Sequence, residues 1–133
     1  MTNKELVEEF PFLLPRNRFT GEVPKDYDYS YTELDSMPEG WRKAFGIQLC
    51  KELKKALGES VSNYRVTQIK EKYGDLCWYD YGGTEESYKV LDKYQTISAH
   101  ICILCGKPGE LDFDGWILPL CEEHYKERHK DTV

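Results

Sequence analysis

The chain has 133 residues, enough for one domain of ordinary size, and none of its apolar stretches approaches the ~20 residues needed to span a bilayer. Hydrophobic residues make up 40% and aromatic residues 14%, so ten Tyr, five Phe and three Trp can build a core from a few large side chains, which excludes disorder of the whole chain. Eighteen Lys and Arg against 24 Asp and Glu leave a net charge of −6, whose average field repels phosphate backbones and sets generic nucleic-acid binding at a disadvantage.

Residues 2–9 read as a short helix, with Leu6, Val7 and Phe10 apolar among Glu5, Glu8 and Glu9 and Pro11 as the stop. The segment 11–40 is rich in Pro, Asp and Tyr and carries no sustained period, so it is expected to be an irregular arm. Within residues 1–40 nine acids stand against four bases, which places most of the negative charge there. Ser36-Met37-Pro38-Glu39 has the form of a capping box, with Ser36 as N-cap and Pro38 in the first turn. It predicts an amphipathic helix over about 38–57. Phe45, Leu49, Cys50, Leu53, Ala56 and Leu57 share its apolar face, Lys43, Lys51, Lys54 and Lys55 lie opposite, and Gly58 supplies the stop.

Tyr64–Ile69 and Leu76–Tyr81 are rich in β-branched and aromatic residues, and the segment around Tyr73-Gly74-Asp75 between them predicts a β-hairpin. Thr84 then caps a second helix, with Glu85 and Glu86 in its first turn and Tyr88, Leu91, Tyr94 or Gln95, and Ile97 as its apolar positions. The expected fold class is therefore α+β: a core over 1–99, including the acidic arm 1–40, with a small module over 100–133 packed on it.

That module carries the most informative chemistry. Cys102-Ile103-Leu104-Cys105 and Cys121-Glu122-Glu123-His124 form C-x2-C and C-x2-H pairs, a spacing that fits tetrahedral Zn²⁺ held by three thiolates and one imidazole. Gly106 permits the tight turn of a zinc knuckle, in which backbone N–H groups face the sulfurs. A hairpin around Asp112 to Leu118 and a helix bearing Cys121 and His124 would follow, giving a treble-clef-like order, with a plain zinc ribbon as the rival. His100 and His129 are alternative fourth ligands. Four protein donors close the shell, which points to structural rather than catalytic zinc and to a chain that is not an enzyme. Cys50 and Cys77 read as inert apolar residues.

No phosphate-binding loop is visible: Tyr81-Gly82-Gly83-Thr84 opens a helix but lacks the Lys and spacing such loops need. The module over 102–133 has four bases against seven acids, which suits a staple or a protein contact better than a nucleic-acid finger. Two candidate partner surfaces remain. The acidic tyrosine stretch Asp26, Tyr27, Asp28, Tyr29 and Tyr31 combines clustered carboxylates with large contact area at low entropy cost. It reads either as a recognition arm toward a basic protein surface or as a loop packed on the main helix. The face of Lys43, Lys51, Lys54 and Lys55 is the best basic patch for nucleic acid, and a solvated helix face is its plainer explanation.

Met37–Gly46, Tyr64–Gly74 and the Cys102/Cys105 knuckle together resemble a family of small proteins encoded by phages and prophages of Gram-positive bacteria, over most of residues 10–125. The resemblance implies an accessory or host-interaction role in a bacterial cytoplasm and brings no catalytic residues with it. Family members often end the zinc motif in Cys where this chain has His124. The expectation is a zinc-stapled, non-enzymatic protein that binds a host or defence protein, with a nucleic-acid-binding regulator as the alternative and a metal-dependent hydrolase as a third, weaker reading.

Overall fold

The computed structural model describes residues 1–130; residues 131–133, the last of the expected module, lie outside the described residues. Helix α1 (Asn3–Glu9) begins with a reciprocal cap, the Thr2 hydroxyl accepting from the Glu5 N–H while the Glu5 carboxylate accepts from the Thr2 N–H. The stretch expected to be an irregular arm begins as core instead. Pro11–Leu13 form a 3₁₀ turn that buries Phe12 and Leu13 beside Phe10, and Glu33–Ser36 form a second that buries Leu34. Only the part between them is open and turn-rich.

The long helix arrives in three pieces: α2 (Glu39–Trp41), a π-helical stretch Arg42–Gly46, and α3 (Ile47–Leu57). The capping box expected at Ser36 and Glu39 does not form. Pro38 sits at the N-cap without a side-chain hydrogen bond, and Ser36 belongs to the preceding 3₁₀ turn. That turn takes the reciprocal cap itself: the Thr32 hydroxyl accepts from the Leu34 N–H, and Asp35 accepts from the Thr32 N–H. A 3₁₀ turn closing at Ser36 leaves the Ser36 side chain one element too early to cap residue 39. The apolar face is as expected, with Phe45, Leu49, Cys50, Leu53 and Leu57 buried and Ala56 at its margin, and the Gly58 N–H closes the helix on the Lys54 carbonyl.

Strands β1 (Arg65–Lys72) and β2 (Asp75–Tyr81) pair antiparallel, with a bulge between Val66 and Gln68. Val66, Ile69 and Leu76 face inward and are buried. The two-residue turn has positive φ at both Tyr73 (52°) and Gly74 (87°), the pattern of a type I′ hairpin. A bulky aromatic is a poor occupant of the left-handed region, and Tyr73 is 73% exposed, so little packing compensates it. Tyr73→Asn is expected to raise stability by about 0.5–1 kcal/mol in denaturant melts.

Helix α4 (Glu85–Ser98) is capped by Thr84 as expected, and its inward face keeps the expected Leu91 and Tyr94 but not Tyr88 and Ile97. Tyr88 and Ile97 are exposed, while Ser87, Tyr94 and Ser98 are buried with Leu91 partly so. Small serines let the helix approach the hairpin closely: the Ser98 hydroxyl accepts from the Leu76 N–H at 2.8 Å and donates to the Gln95 carbonyl. Tyr94 meets Phe45 of the long helix at 5.2 Å between ring centroids. Strands β3 (Glu110–Asp112) and β4 (Leu118–Leu120) form a second antiparallel pair, and α5 (Glu122–His129) follows. One hydrophobic cluster runs from Leu6 through Trp41 and Leu53 to Cys102, Ile103, Leu120 and Cys121, so the C-terminal segment shares the core of the rest. None of the helices among the described residues is long and apolar enough to cross a membrane.

Candidate metal centre

The segment after α4 folds back on itself through short backbone bonds. Cys102 N–H donates to the Lys107 carbonyl at 2.7 Å, Gly106 N–H to the Cys102 carbonyl at 3.0 Å, and Gly109 N–H to the His100 carbonyl at 2.8 Å. Gly106 takes φ 84°, which a side chain would resist. The resulting knuckle presents Cys102 and Cys105 on one side. Opposite it, Cys121 is the N-cap of α5, its sulfur accepting from the His124 N–H at 3.4 Å, so the first helical turn is capped by a candidate ligand.

The four donor atoms all lie within 4.8 Å of one another. Cys105 Sγ stands 3.7 Å from Cys121 Sγ, and His124 Nδ1 stands 3.2 Å from Cys121 Sγ and 3.4 Å from Cys102 Sγ. Zn²⁺ bonds of about 2.3 Å to sulfur and about 2.0–2.1 Å to nitrogen imply tetrahedral edges of roughly 3.8 Å between sulfurs and roughly 3.5 Å between sulfur and nitrogen. The closest contacts match those edges, so Cys102, Cys105, Cys121 and His124 can hold a metal ion.

The local field favours an anion at Cys102. Burial pushes its thiol up, but the N–H groups of Cys121, Leu104 and Cys105 outweigh burial and bring it below its ordinary value. Cys105 goes the other way: the Lys107 N–H lowers it, yet burial and the adjacent sulfurs of Cys102 and Cys121 raise it overall. Sulfurs this close resist shared negative charge unless a cation sits among them.

The other two histidines are engaged elsewhere. His100 is exposed and faces Glu110 at 3.4 Å. His129 lies against Asp112 at 2.7 Å and Asp114 at 3.3 Å, and Arg128 donates to the same Asp112 at 3.0 Å and to the Trp116 carbonyl. Asp112 is buried; burial raises its carboxyl, but His129, the Asp114 N–H and Arg128 together hold it below the usual range. This clamp fixes α5, and with it His124, to β3. Sequence reading missed it because Asp112 and the Arg128-His129 pair are far apart in the chain.

The knuckle is also docked on the long helix. Gly40 N–H donates to the Ile103 carbonyl at 2.9 Å, and the indole N–H of fully buried Trp41 donates to the Ile101 carbonyl at 3.0 Å. On the far side, Glu71 accepts from the Gly74 N–H and from the Trp116 indole, tying the first hairpin's turn to the β3–β4 loop.

The two surfaces singled out for partners contribute none of the four metal donors, and the lysine face begins beside the knuckle, which packs on Gly40 and Ala44. Asp26, Asp28, Tyr29 and Tyr31 are exposed and Tyr27 is half-buried. Tyr27 packs on Tyr29 and Tyr31 with centroids 5.0 and 5.5 Å away, and its hydroxyl donates to the Tyr31 carbonyl. Asn3 and Lys4 of α1 hold the loop through the Tyr29 carbonyl and ring. Lys43, Lys51, Lys54 and Lys55 are all exposed, with the Lys54 ammonium 5.8 Å from the Phe10 ring. Cys50 is fully buried on the helix, where desolvation pushes its thiol up to about 12, consistent with an inert core residue. Comparison of the chain with protein-family models, with curated proteins and with solved structures gave no match.

Proposed function

We propose that the chain is a non-enzymatic binding protein stapled by a structural Zn²⁺, and that its partner is a protein with a basic surface. The observation that carries the first half is the four-donor set itself. Three sulfurs and one imidazole at tetrahedral separations fill the coordination shell and leave no position for a reacting water. The order of knuckle, β3–β4 hairpin and ligand-bearing α5 fits a treble clef better than a ribbon, because the second ligand pair stands on a helix. The second half is supported by the exposed acidic loop 26–31, which offers carboxylates and tyrosine rings together. The resemblance to phage and prophage proteins supports a host or defence component of a bacterial cytoplasm as that partner.

The test is affinity capture from a bacterial lysate with the wild-type chain and with an Asp26→Lys/Asp28→Lys variant. A defined protein retained by the first and lost by the second is expected. No specific capture, or equal capture by both, overturns the partner reading, and zinc-dependent hydrolysis of nucleic acid, peptide or ester abolished by Cys121→Ala without unfolding overturns the non-enzymatic one. Sub-micromolar binding to duplex DNA that vanishes on charge reversal of Lys43, Lys51, Lys54 and Lys55 would instead install the nucleic-acid alternative.

A further inference from the structure

Two guanidinium groups converge at the open end of the first hairpin, and neither is ion-paired among the described residues. Arg16 donates to the Gly21 carbonyl at 2.9 Å, and Arg65 Nη1 lies so near Gly21 that a Cβ there would stand 2.3 Å from it. Gly21 thus brings the two side chains to one place. The ion-paired arginines among the described residues are Arg42, with Asp35, and Arg128, with Asp112; Arg16 and Arg65 have no such partner. Arg65 Nε is moreover sealed from water and has no hydrogen-bond acceptor. A buried donor atom without a partner calls for an explanation, and an anion held by the half-exposed remainder of the same guanidinium is one.

These groups line a cleft of about 440 Å³ together with Ser62, Asn63 and Tyr81. The Arg65 guanidinium lies 5.2 Å from the centroid of the Tyr81 ring, and that ring is 64% exposed. We infer that this cleft is a phosphoryl-binding site, with Arg16 and Arg65 as the anion clamp and Tyr81 as a stacking platform beside it.

Charge and shape favour a phosphoryl group over a carboxylate. A carboxylate is satisfied by one forked guanidinium, whereas two guanidinia match the charge and the several acceptor oxygens of a phosphate. Glu22 and Glu33 line an adjoining cleft with Arg16, but no ion pair among the described residues joins either of them to Arg16 or Arg65, so the clamp keeps its positive charge for a ligand. An exposed aromatic ring next to the clamp suits a phosphate that carries a base, because every base offers a π face. The cleft shares no residue with the metal centre, and Arg16 also lines a neighbouring cleft that reaches Tyr31 of the acidic loop.

The experiment is calorimetric titration of the full chain with inorganic phosphate, adenosine monophosphate and a hexathymidylate strand, at physiological salt. Binding of at least one probe is expected, weakened roughly tenfold or more by Arg16→Gln and by Arg65→Lys, since each removes a charge-assisted contact. Tyr81→Leu should weaken the two base-bearing probes and leave inorganic phosphate unchanged. The strongest of the three probes identifies the source of the phosphoryl group as free anion, nucleotide or strand. Should Arg65→Lys fail to fold, Arg16→Gln decides alone, because Arg16 is exposed. Absence of binding by all three probes, or binding that Arg16→Gln leaves intact, overturns the assignment.

Discussion

Removing the metal is expected to unfold the C-terminal segment and to destabilise the rest of the chain with it. Metal analysis should find about one Zn²⁺ per chain, and a strong chelator or Cys102→Ser should abolish it. Cys102 is fully buried and belongs to the same hydrophobic cluster as Trp41 and Leu49. Structural zinc contributes roughly 10–16 kcal/mol of binding energy in small fingers, against a total stability of about 5–15 kcal/mol for an ordinary domain. Even a tenth of that coupling, about 1–1.5 kcal/mol, lost through Ile103 and Leu120 is measurable, since it lowers Tm by on the order of 5 °C. Cys50→Ser is the control: this cysteine is just as buried but holds no metal, so metal content should stay at one while stability falls by only about 1–2 kcal/mol. A chain that is metal-free as purified yet melts as a single cooperative transition, unmoved by chelator, would remove the staple from the proposal.

The parts of this fold that were legible in the sequence are those encoded at short range. The members of each C-x2-C and C-x2-H pair lie within a turn of one another, so the two spacings together brought Cys102, Cys105, Cys121 and His124 into one candidate set. The long helix showed its apolar face at period 3.6, and the first hairpin its β-branched and aromatic runs. Where burial came without a period, reading failed. Phe12, Leu13, Leu34 and Met37 are all core, yet short 3₁₀ turns separated by open loop deliver them, which leaves no repeat to detect. Helix α4 buries the expected Tyr94 and part of Leu91 but not Tyr88 or Ile97, because its buried stripe runs through Ser87 and Ser98, small polar residues whose hydroxyls are satisfied by nearby carbonyls. Long-range pairings were out of reach altogether: the clamp on Asp112, the approach of Arg16 to Arg65 and the docking of Gly40 on the knuckle join segments with no local signature.

Gly40→Ala tests that last contact, and two effects of opposite sign compete in it. Gly40 lies within α2, and on helix propensity alone alanine should gain about 1 kcal/mol. A Cβ there would stand 2.2 Å from the Cys102 carbonyl oxygen and 2.5 Å from the Ile103 carbonyl carbon, well inside van der Waals contact. These are backbone atoms, pinned by the Gly40 to Ile103 hydrogen bond and by the Trp41 indole on Ile101, so no rotamer change relieves the overlap. The knuckle must retreat by roughly 1 Å, and overpacking of that kind costs about 1–3 kcal/mol or more. Sterics therefore win, and a net loss of about 2 kcal/mol is expected in denaturant melts. Because the displaced atoms carry Cys102 and precede Cys105, zinc affinity should fall as well, roughly 10–100-fold in a competition titration, as for other residues that orient metal ligands. Gly46→Ala provides the comparison within the same helix, since its Cβ would meet only the flexible Arg42 side chain at 3.3 Å and Leu34 at 3.6 Å. That variant should be near neutral in stability and unchanged in zinc affinity. Equal behaviour of the two alanines would mean that the knuckle does not rest on Gly40, and the coupling between metal and core would then have to run through Trp41 and the buried contacts of Ile103 and Leu120.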